Sequence, residues 1–229
     1  MNTDSEKEIY EVLREALPFF DGLSDSDRAM LVRTSQRVCF DAGTTVHDGG
    51  ECTGIILVKR GMIRIYMLSE DGKEVTLFRL YSGDLCIFSA SCALSSLTFD
   101  LSVDSEWDSE CIVVGGCAVE RITEKVPEAK IFVLEEALAA FSDIMWVMQQ
   151  ILFMSMDKRL AIFLLEELSK SKSDTVLLTH EQIAKYMGSA REVVSRMLKY
   201  FASEGLVQSK RNEGIKILDK ARMRKIAGM

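Results

Sequence analysis

The feature that most constrains this chain is a run of about 26 residues after Pro127 that contains neither Gly nor Pro. The run is far longer than the average globular helix, so it predicts one long helix that ends near Phe153. Two apolar rows lie side by side along it: Leu138, Phe141, Met145, Met148 and Leu152 in one, and Ile144, Val147, Ile151 and Met154 in the other. We expect one row to pack on the chain's own β domain and the other on a second copy of the chain, which predicts a homodimer. A single helix fully buried in a monomer is the alternative.

The residues before this run have a different pattern. Between Val38 and Ile122, short apolar runs such as GIILVK, MIRIYML, VTLFRL and CIVVGG alternate with polar turn clusters. This alternation predicts an antiparallel sandwich or roll. The clearest hairpin has strands at 64–67 and 75–78 around a turn at 70–73. Ahead of the sheet, Ser24 and Asp27 have capping spacing and predict a short helix over about 24–35.

The formal charge of −7 is unevenly distributed along the chain. From Met154 onward, 15 Lys and Arg stand against 9 Asp and Glu, so this part carries about +6 and the first 153 residues carry about −13. A basic part can neutralise phosphates, and an acidic part can take up a small molecule or a protein. The asymmetry indicates two domains and favours a nucleic-acid partner for the second one.

Two short helices separated by one glycine are predicted near the carboxyl end. Thr179 and Gln182 have the spacing of a capping box, which opens a helix that Gly188 ends. Ser189 and Glu192 repeat this spacing at once and predict the cap of a second helix. A helix, a tight glycine turn and a second helix form the helix-turn-helix arrangement. An amphipathic helix over 157–168 precedes the pair.

The second of these helices has two separate faces when its residues are placed about 100° apart. Its apolar face must lie against the core of the domain, which leaves the polar face outside. Arg donates two hydrogen bonds to guanine, Glu accepts one from cytosine N4, and Ser adapts to several base edges, so the polar face has the chemistry of major-groove reading. For Glu192 alone, a capping role with an ion pair to Arg196 is the alternative. The polar face holds Arg191, Glu192, Ser195, Arg196 and Lys199, and the apolar face holds Val193, Val194, Met197, Leu198 and Phe201.

Beyond this helix, residues 208–218 contain two β-prone runs around a basic turn. A hairpin wing that contacts phosphates fits this pattern. The predicted DNA-contacting residues are Thr179, Ser189, Arg191, Glu192, Ser195, Arg196, Lys199, Lys210 and Arg211.

The segment GSAREVVSRMLKYF, with the following EGLV and the wing, resembles the recognition region of the CRP/FNR superfamily, the cyclic-AMP receptor and fumarate-nitrate regulators of bacteria. The resemblance extends over nearly the whole chain, through LPFFDGLSDSDRAML, GIILVKRGMIRIY, GDL at 83–85 and DKRLA at 157–161. It implies an α+β fold: an effector-sensing antiparallel β-roll (jelly-roll, cyclic-nucleotide-binding-like) over 1–126, a long dimerisation helix over 127–154, and a winged helix-turn-helix over 155–229. It also implies a dimer on a near-palindromic DNA site, with Arg191, Glu192 and Arg196 reading a half-site with a TGA-like core, and contact with RNA polymerase. Ser195 matches the serine used in the fumarate-nitrate branch.

The sensor part departs from the family's nucleotide binders. Asp84 stands where the family's glutamate would be, and the place of the phosphate-binding arginine falls near Thr98 and Phe99, in a stretch without a cation. A buried phosphate without a cationic partner is strongly disfavoured, so we expect an effector other than cyclic AMP. A mostly apolar organic effector between the roll and the long helix is the hypothesis, because Met and Phe form adaptable apolar walls. The predicted pocket residues are Leu85, Phe88, Phe99, Phe141 and Met145.

Metal and redox sensing are the alternative within the same fold, because all six cysteines lie in the sensor part. Their spacing lacks the tight pairs of zinc and iron-sulfur sites, and His47 is the sensor's only histidine. We therefore expect buried, inert thiols, no metal site and no cofactor.

Other function classes are disfavoured by the residues present. A metal-dependent enzyme on a β roll would need two or three histidines with an acid on inward strand positions, whereas the chain has two histidines in separate parts, and no nucleophile-base-acid set stands out. We expect no enzyme activity and no catalytic residues. A scaffold that binds acidic proteins through its basic end is a further alternative, against which the polar face near Arg191 argues. The acidic start and the absence of a long uncharged run predict a cytoplasmic protein without membrane attachment.

Overall fold

The chain begins with two helices that pack on each other, α1 (Thr3–Ala16) and α2 (Asp25–Thr34), with a 3-10 turn at Phe20–Gly22 between them. The structure is a computed structural model that describes residues 3–48, 54–87, 101–171, 173–210 and 213–229. The Ser24 hydroxyl accepts a hydrogen bond from the Asp27 amide at 3.2 Å, so the predicted cap of α2 is confirmed. α1 was not predicted from the sequence, and its apolar face reaches the core through Ile9 and Leu13.

In the described residues that follow, eight strands form two four-stranded sheets, with the orders β1-β8-β3-β6 and β2-β7-β4-β5. The paired strands β1 with β8, β3 with β6 and β8, and β7 with β2 and β4 are antiparallel, as the alternation of apolar runs and turns predicts. The predicted hairpin is present as β4 and β5, and the Ser69 amide closes its turn by donating to the Lys73 carbonyl at 2.9 Å. The strands are β1 (Ser35–Phe40), β2 (Thr44–Asp48), β3 (Ile55–Arg60), β4 (Ile63–Leu68), β5 (Glu74–Leu80), β6 (Leu85–Cys86), β7 (Ser102–Ser105) and β8 (Ser109–Val114).

The predicted sheet region ends earlier than expected. Its last strand stops at Val114, and α3 (Gly116–Lys125) occupies the residues up to Ile122 that were assigned to the sheet. Two consecutive glycines, Gly115 and Gly116, end the strand, and Ala118, Val119 and Ile122 then recur at helical spacing and are buried.

The predicted long helix is confirmed as α4 (Pro127–Phe153), with 27 residues. Only its first turns are buried, at Ala129 and Val133. The rest of the helix leaves its large apolar side chains in solvent, so the alternative of a helix fully buried in a monomer is wrong for this chain. The exposed apolar residues of α4 are Ile131, Leu134, Leu138, Phe141, Met145, Trp146, Met148, Ile151, Leu152 and Phe153.

The described carboxyl-terminal part contains the two helices of the helix-turn-helix, one helix before them and one after them, and a small three-stranded sheet of order β10-β11-β9. Its elements are α5 (Met156–Ser171), β9 (Thr175–Val176), α6 (His180–Met187), α7 (Arg191–Ser203), β10 (Val207–Lys210), β11 (Gly214–Ile217) and α8 (Lys220–Ala227). Its core is formed by Leu160, Leu164, Ile183, Val194, Leu198, Phe201, Leu206, Ile215 and Met223, all almost fully buried. α8 was not predicted.

The chain divides into two compact units that are not contiguous in sequence. The first unit consists of Met1–Leu68 and Leu77–Ile144, and the second of Ser69–Thr76 and Met145–Met229. The turn of the β4–β5 hairpin therefore belongs with the helix-turn-helix. Among the helices that the structure describes, none is both long and apolar enough to cross a membrane.

Candidate nucleic-acid interface

The first helix of the helix-turn-helix, α6, is held at its start by the predicted capping box. The Thr179 hydroxyl accepts from the Gln182 amide at 3.1 Å, and the Gln182 side chain accepts from the Thr179 amide at 2.9 Å. Two of the amide groups that a helix start leaves unpaired are satisfied in this way. Thr179, a predicted DNA contact, is exposed and uses its hydroxyl in this cap.

The turn between α6 and α7 depends on Gly188, which has φ +59° and ends α6 in the left-handed region. The Ser189 amide donates to the Ala184 carbonyl at 2.9 Å, which completes the closure of α6. The predicted cap of α7 is therefore wrong: Ser189 belongs to the end of α6, Ala190 is the N-cap residue of α7 without a side-chain hydrogen bond, and the helix begins at Arg191. The Ser189 hydroxyl lies 3.9 Å from the sulfur of Met156.

Two elements of the second unit hold this turn from outside. Arg159 on α5 donates from Nη2 to the Met187 carbonyl at the end of α6. Burial lowers the pKa of Arg159. From the β4–β5 hairpin, the Thr76 hydroxyl donates to the Lys185 carbonyl at 3.0 Å. A Cβ at Gly188 would lie 3.5 Å from the side chain of Val75, so the hairpin is in van der Waals reach of the turn.

α7 shows the predicted separation of its two faces. Val194, Leu198 and Phe201 are buried, and Val193 and Met197 are half-buried beside them. The polar residues of the helix point away from the core: Arg191, Glu192, Arg196 and Lys199 are exposed, and Ser195 is half-buried.

The exposed charges of α7 are almost free of partners within the chain. Arg191 lies 3.7 Å from the Glu181 carboxylate, and both side chains are more than 60% exposed, so this pair is weak. Glu192, Arg196 and Lys199 form no hydrogen bond or ion pair with any residue that the structure describes. The alternative for Glu192, a capping box with an ion pair to Arg196, is therefore absent. The face presents its guanidinium, carboxylate and ammonium groups to solvent.

His180 of α6 was not predicted as a site residue, and its side chain contacts α7. Its Nδ1 lies 2.9 Å from the hydroxyl oxygen of Ser195, and the contact is partly buried. Burial, followed by the positive charges of Arg191 and Lys199, lowers the pKa of His180. The imidazole is therefore mostly neutral near pH 7.

The predicted wing is present as the hairpin of β10 and β11. Gly214 has φ +84°, and a Cβ there would come within 2.6 Å of the Val176 carbonyl. The pairing of β11 with β9 therefore requires glycine at position 214. Lys216 is paired with Asp174 at 3.1 Å. The side chain of Lys210 and all of Arg211, both predicted phosphate contacts, lie outside the described residues.

The first unit contains a cavity of about 370 Å³ between the β5–β6 region and α4. Leu85, a predicted pocket residue, lines it. Phe141 is exposed on α4 outside the lining, Met145 belongs to the second unit, and Phe88 and Phe99 lie outside the described residues. The charged residues of the lining are Arg79, Asp84, Glu136 and Asp143, so the wall is more acidic and less apolar than expected.

The cysteines that the structure describes are free thiols. Cys86 and Cys111 are buried as expected, whereas Cys39 and Cys117 are exposed, so the expectation of buried thiols is wrong for these two. Burial above all raises the pKa of the Cys111 thiol to about 12, which keeps it protonated and unreactive. Cys52 and Cys92 lie outside the described residues. Within the described ranges, no three His, Cys, Asp or Glu side chains are grouped as metal ligands would be.

Comparisons with known proteins agree with this architecture. Residues 158–226 match the family described as the Crp-like helix-turn-helix domain. The crystal structure of a transcriptional regulator of the crp/fnr family from Eubacterium rectale is 37% identical and superimposes with a TM-score of 0.86, over 93% of this chain and 98% of that chain.

Two more distant relatives are similar to this chain over most of its length. The transcriptional regulator flp of Lacticaseibacillus casei is 23% identical over 195 residues, which are 84% of this chain and 88% of that protein. The c-di-GMP responsive global regulator CLP of Xanthomonas campestris shares the fold at a TM-score of 0.70 with 17% identity, over 86% of this chain and all of that chain.

Proposed function

Because the chain belongs to the CRP/FNR family of transcriptional regulators, we propose that it acts as a homodimer that reads a near-palindromic DNA operator and responds to a small-molecule effector other than cyclic AMP. The observation that carries the proposal is the polar face of α7. Its charged side chains are exposed and nearly unpartnered, on a helix whose opposite face is anchored in the core. Such a face is what a recognition helix inserts into the major groove.

The side chains of this face have separate roles in the proposal. Arg191 and Arg196 each donate two hydrogen bonds to a guanine, and Glu192 accepts from a cytosine N4. Together they read a half-site with the TGA-like core that the family resemblance implies. Contacts to the backbone phosphates fix the position of the helix without reading bases. We assign these contacts to Thr179, Ser189, Lys199, Lys210 and Arg211.

The dimer forms along α4. The exposed residues Ile131, Leu134, Leu138, Phe141, Met145, Met148 and Leu152 alternate in steps of three and four, the spacing of a two-helix seam. Leu138 is 67% exposed in the single chain. Pairing two copies along this seam removes a continuous apolar stripe from water and places two α7 helices on one operator.

The effector occupies the cavity of the first unit. Its lining holds three carboxylates and one cation, the guanidinium of Arg79, and this excess of negative charge disfavours a phosphate. The carboxylates are those of Asp84, Glu136 and Asp143. Asp84 also accepts a hydrogen bond from the Tyr81 amide at 2.8 Å, so this carboxylate is already used to hold the turn. Isothermal titration calorimetry with cyclic AMP should give no measurable heat, and saturable micromolar binding would contradict this part of the proposal. The relative whose printed name includes c-di-GMP indicates that the fold accepts ligands other than cyclic AMP.

Family membership supports the remaining parts of the proposal. The regulator contacts RNA polymerase, acts in the cytoplasm and carries out no reaction of its own. A redox- or metal-responsive version of the same regulator is disfavoured by the buried, protonated Cys111 and by the dispersed cysteines.

The proposal is tested by selecting binding sites from random duplexes with the purified full chain. We expect an inverted repeat, one turn of DNA between half-site centres, and a steep loss of affinity with added salt. The variant Leu138→Glu should elute as a monomer and bind the selected duplex at least tenfold more weakly. Gln150→Glu introduces the same charge roughly 150° around the helix from the centre of the seam and should remain a dimer. Recovery of no common sequence, or unchanged dimerisation in Leu138→Glu, would contradict the proposal.

A further inference from the structure

We propose that His180 sets the hydrogen-bonding role of Ser195 at the DNA interface, so that a residue of α6 determines base preference through a residue of α7. The inference rests on the proposed function, in which the polar face of α7 enters the major groove. Its structural basis is the 2.9 Å contact between His180 Nδ1 and Ser195 Oγ. Among the residues that the structure describes, no other side chain of that face forms a hydrogen bond with a side chain of α6, and Arg191 only approaches Glu181 at 3.7 Å.

A serine hydroxyl has one hydrogen to donate and lone pairs to accept with, and it normally rotates to suit its partner. The contact with His180 removes this freedom. When Nδ1 accepts, the hydrogen of Ser195 points inward, and the oxygen offers only lone pairs to the groove. Ser195 then prefers an amine, at adenine N6 or cytosine N4. When Nδ1 carries the hydrogen, Ser195 accepts inward and donates outward, to guanine or to thymine O4.

The surroundings of His180 keep the ring in a state that allows this control. The residue is the first of α6, half-buried, with Arg191 and Lys199 of α7 as the nearby positive charges. Glu181, the next residue on α6, is directed to Arg191. Burial and the two cations lower the pKa of His180, so the ring is neutral near pH 7 and Nδ1 is able to accept from Ser195, whereas a protonated ring could only donate. The contact is also partly buried, which shields it from exchange with water.

The test measures how the full-length dimer binds every single-base variant of its selected half-site. Ser195→Ala and His180→Leu should each flatten the preference at the same base pair, by roughly three- to tenfold, as expected for one neutral hydrogen bond. The double variant should behave like either single one, because the two residues act through one contact. Preferences at the other positions should stay unchanged in all three proteins.

Two further variants separate positioning from simple structural support. His180→Asn keeps a polar atom near the place of Nδ1 and should restore much of the preference, whereas His180→Gln moves its amide outward and should not. Arg196→Ala serves as the control, because it should change a different base pair. Equal weakening of all sequences by His180→Leu, or additive effects of His180→Leu and Ser195→Ala, would overturn the inference. If the unaltered protein shows no base preference at all, the proposed function fails instead.

Discussion

The two units of this chain use charged side chains in opposite ways. In the first unit, a buried cation is paired with two carboxylates: Arg64 is fully buried and lies 3.0 Å from Asp104 and 2.9 Å from Glu106. In the second unit, the charges on α7 lie in solvent, and Arg196 has no partner among the described residues. Charges of the first kind hold the fold together, and charges of the second kind remain available to a ligand.

The contrast extends to the surface of the roll. Lys59 on β3 lies 2.8 Å from Glu110 on β8 and also pairs with Glu8 of α1, and Arg37 on β1 lies 3.0 Å from Glu110. This network joins the first helix to three strands of one sheet. A high content of charged residues therefore says little about function by itself, and the partner of each charge decides its role.

The largest expected effect is in the first unit. Arg64→Met removes the cation between two carboxylates that are only 15% and 12% exposed, and it also removes the guanidinium that lies 3.8 Å from the centre of the Tyr66 ring. Breaking a buried pair from one side costs about 3–5 kcal/mol, because the other charge remains desolvated. Urea unfolding should show this loss. Arg60→Met, at an exposed position of β3, should be nearly neutral. A loss below about 1 kcal/mol for Arg64→Met would show that the cluster does not hold the roll together.

The matching experiment in the second unit is Arg196→Ala. Because Arg196 is exposed and unpartnered, the free energy of unfolding should not change. Binding to the preferred operator should lose about 1–3 kcal/mol at one base pair, with relaxed preference there. Arg224→Ala, on an exposed position of α8, should leave the preference intact. Fluorescence anisotropy titrations with single-base variants of the operator measure the affinity and the base preference of both proteins. A uniform loss of affinity over all sequences would indicate that Arg196 contacts a phosphate.

A smaller effect tests whether the β4–β5 hairpin stabilises the second unit. Thr76→Val removes the hydroxyl that donates to the Lys185 carbonyl and should cost about 0.5–1.5 kcal/mol of stability. Thr123→Val, whose hydroxyl bonds only within α3, is the control. The two variants are compared by urea unfolding. If Thr76→Val were as stable as the unaltered protein, the hairpin would not stabilise the helix-turn-helix.

The smallest effect concerns the network around Lys59. Hydrogen bonding to Lys59 lowers the pKa of both Glu8 and Glu110 below the ordinary value of 4.5. Carboxylates with a lowered folded-state pKa stabilise the fold above their unfolded pKa, and this stability is lost as pH falls through the folded value. Lys59→Met should therefore reduce stability near pH 7 slightly and make the acid-induced fall in Tm below about pH 4.5 shallower. Parallel Tm curves for the two proteins from pH 7 to 3 would contradict this.

The sequence predicted those parts of the molecule that depend on neighbours within a few residues. The cap at Thr179, the left-handed turn at Gly188 and the two faces of α7 all follow from local spacing, and the structure confirms them. The long helix α4 follows from the absence of Gly and Pro. The alternation of apolar runs and turns predicted an antiparallel sandwich or roll, and the family resemblance favoured the roll, but the order of the strands lies beyond what spacing alone predicts.

What the sequence did not predict depends on contacts between distant residues. The sequence pattern places Arg64 on the surface of a strand, and its burial depends on Asp104 and Glu106, about 40 residues away along the chain. His180 and Ser195 are 15 residues apart, and their contact depends on how two helices cross. Ser189 was assigned as a cap because its spacing to Glu192 is correct, but its amide is needed to close the preceding helix. Local patterns could have revealed α1, since Ile9 and Leu13 stand four residues apart before Pro18.

The membership of Ser69–Thr76 in the second unit has a consequence for protein engineering. A fragment that starts at Met145 omits these eight residues, including the hydroxyl that supports the end of α6 and the valine beside Gly188. Chimeras that exchange only the carboxyl-terminal halves of two relatives would join a helix-turn-helix to a foreign hairpin. Successful domain grafting in this family should therefore require two exchanged segments, the hairpin tip and the carboxyl-terminal region together.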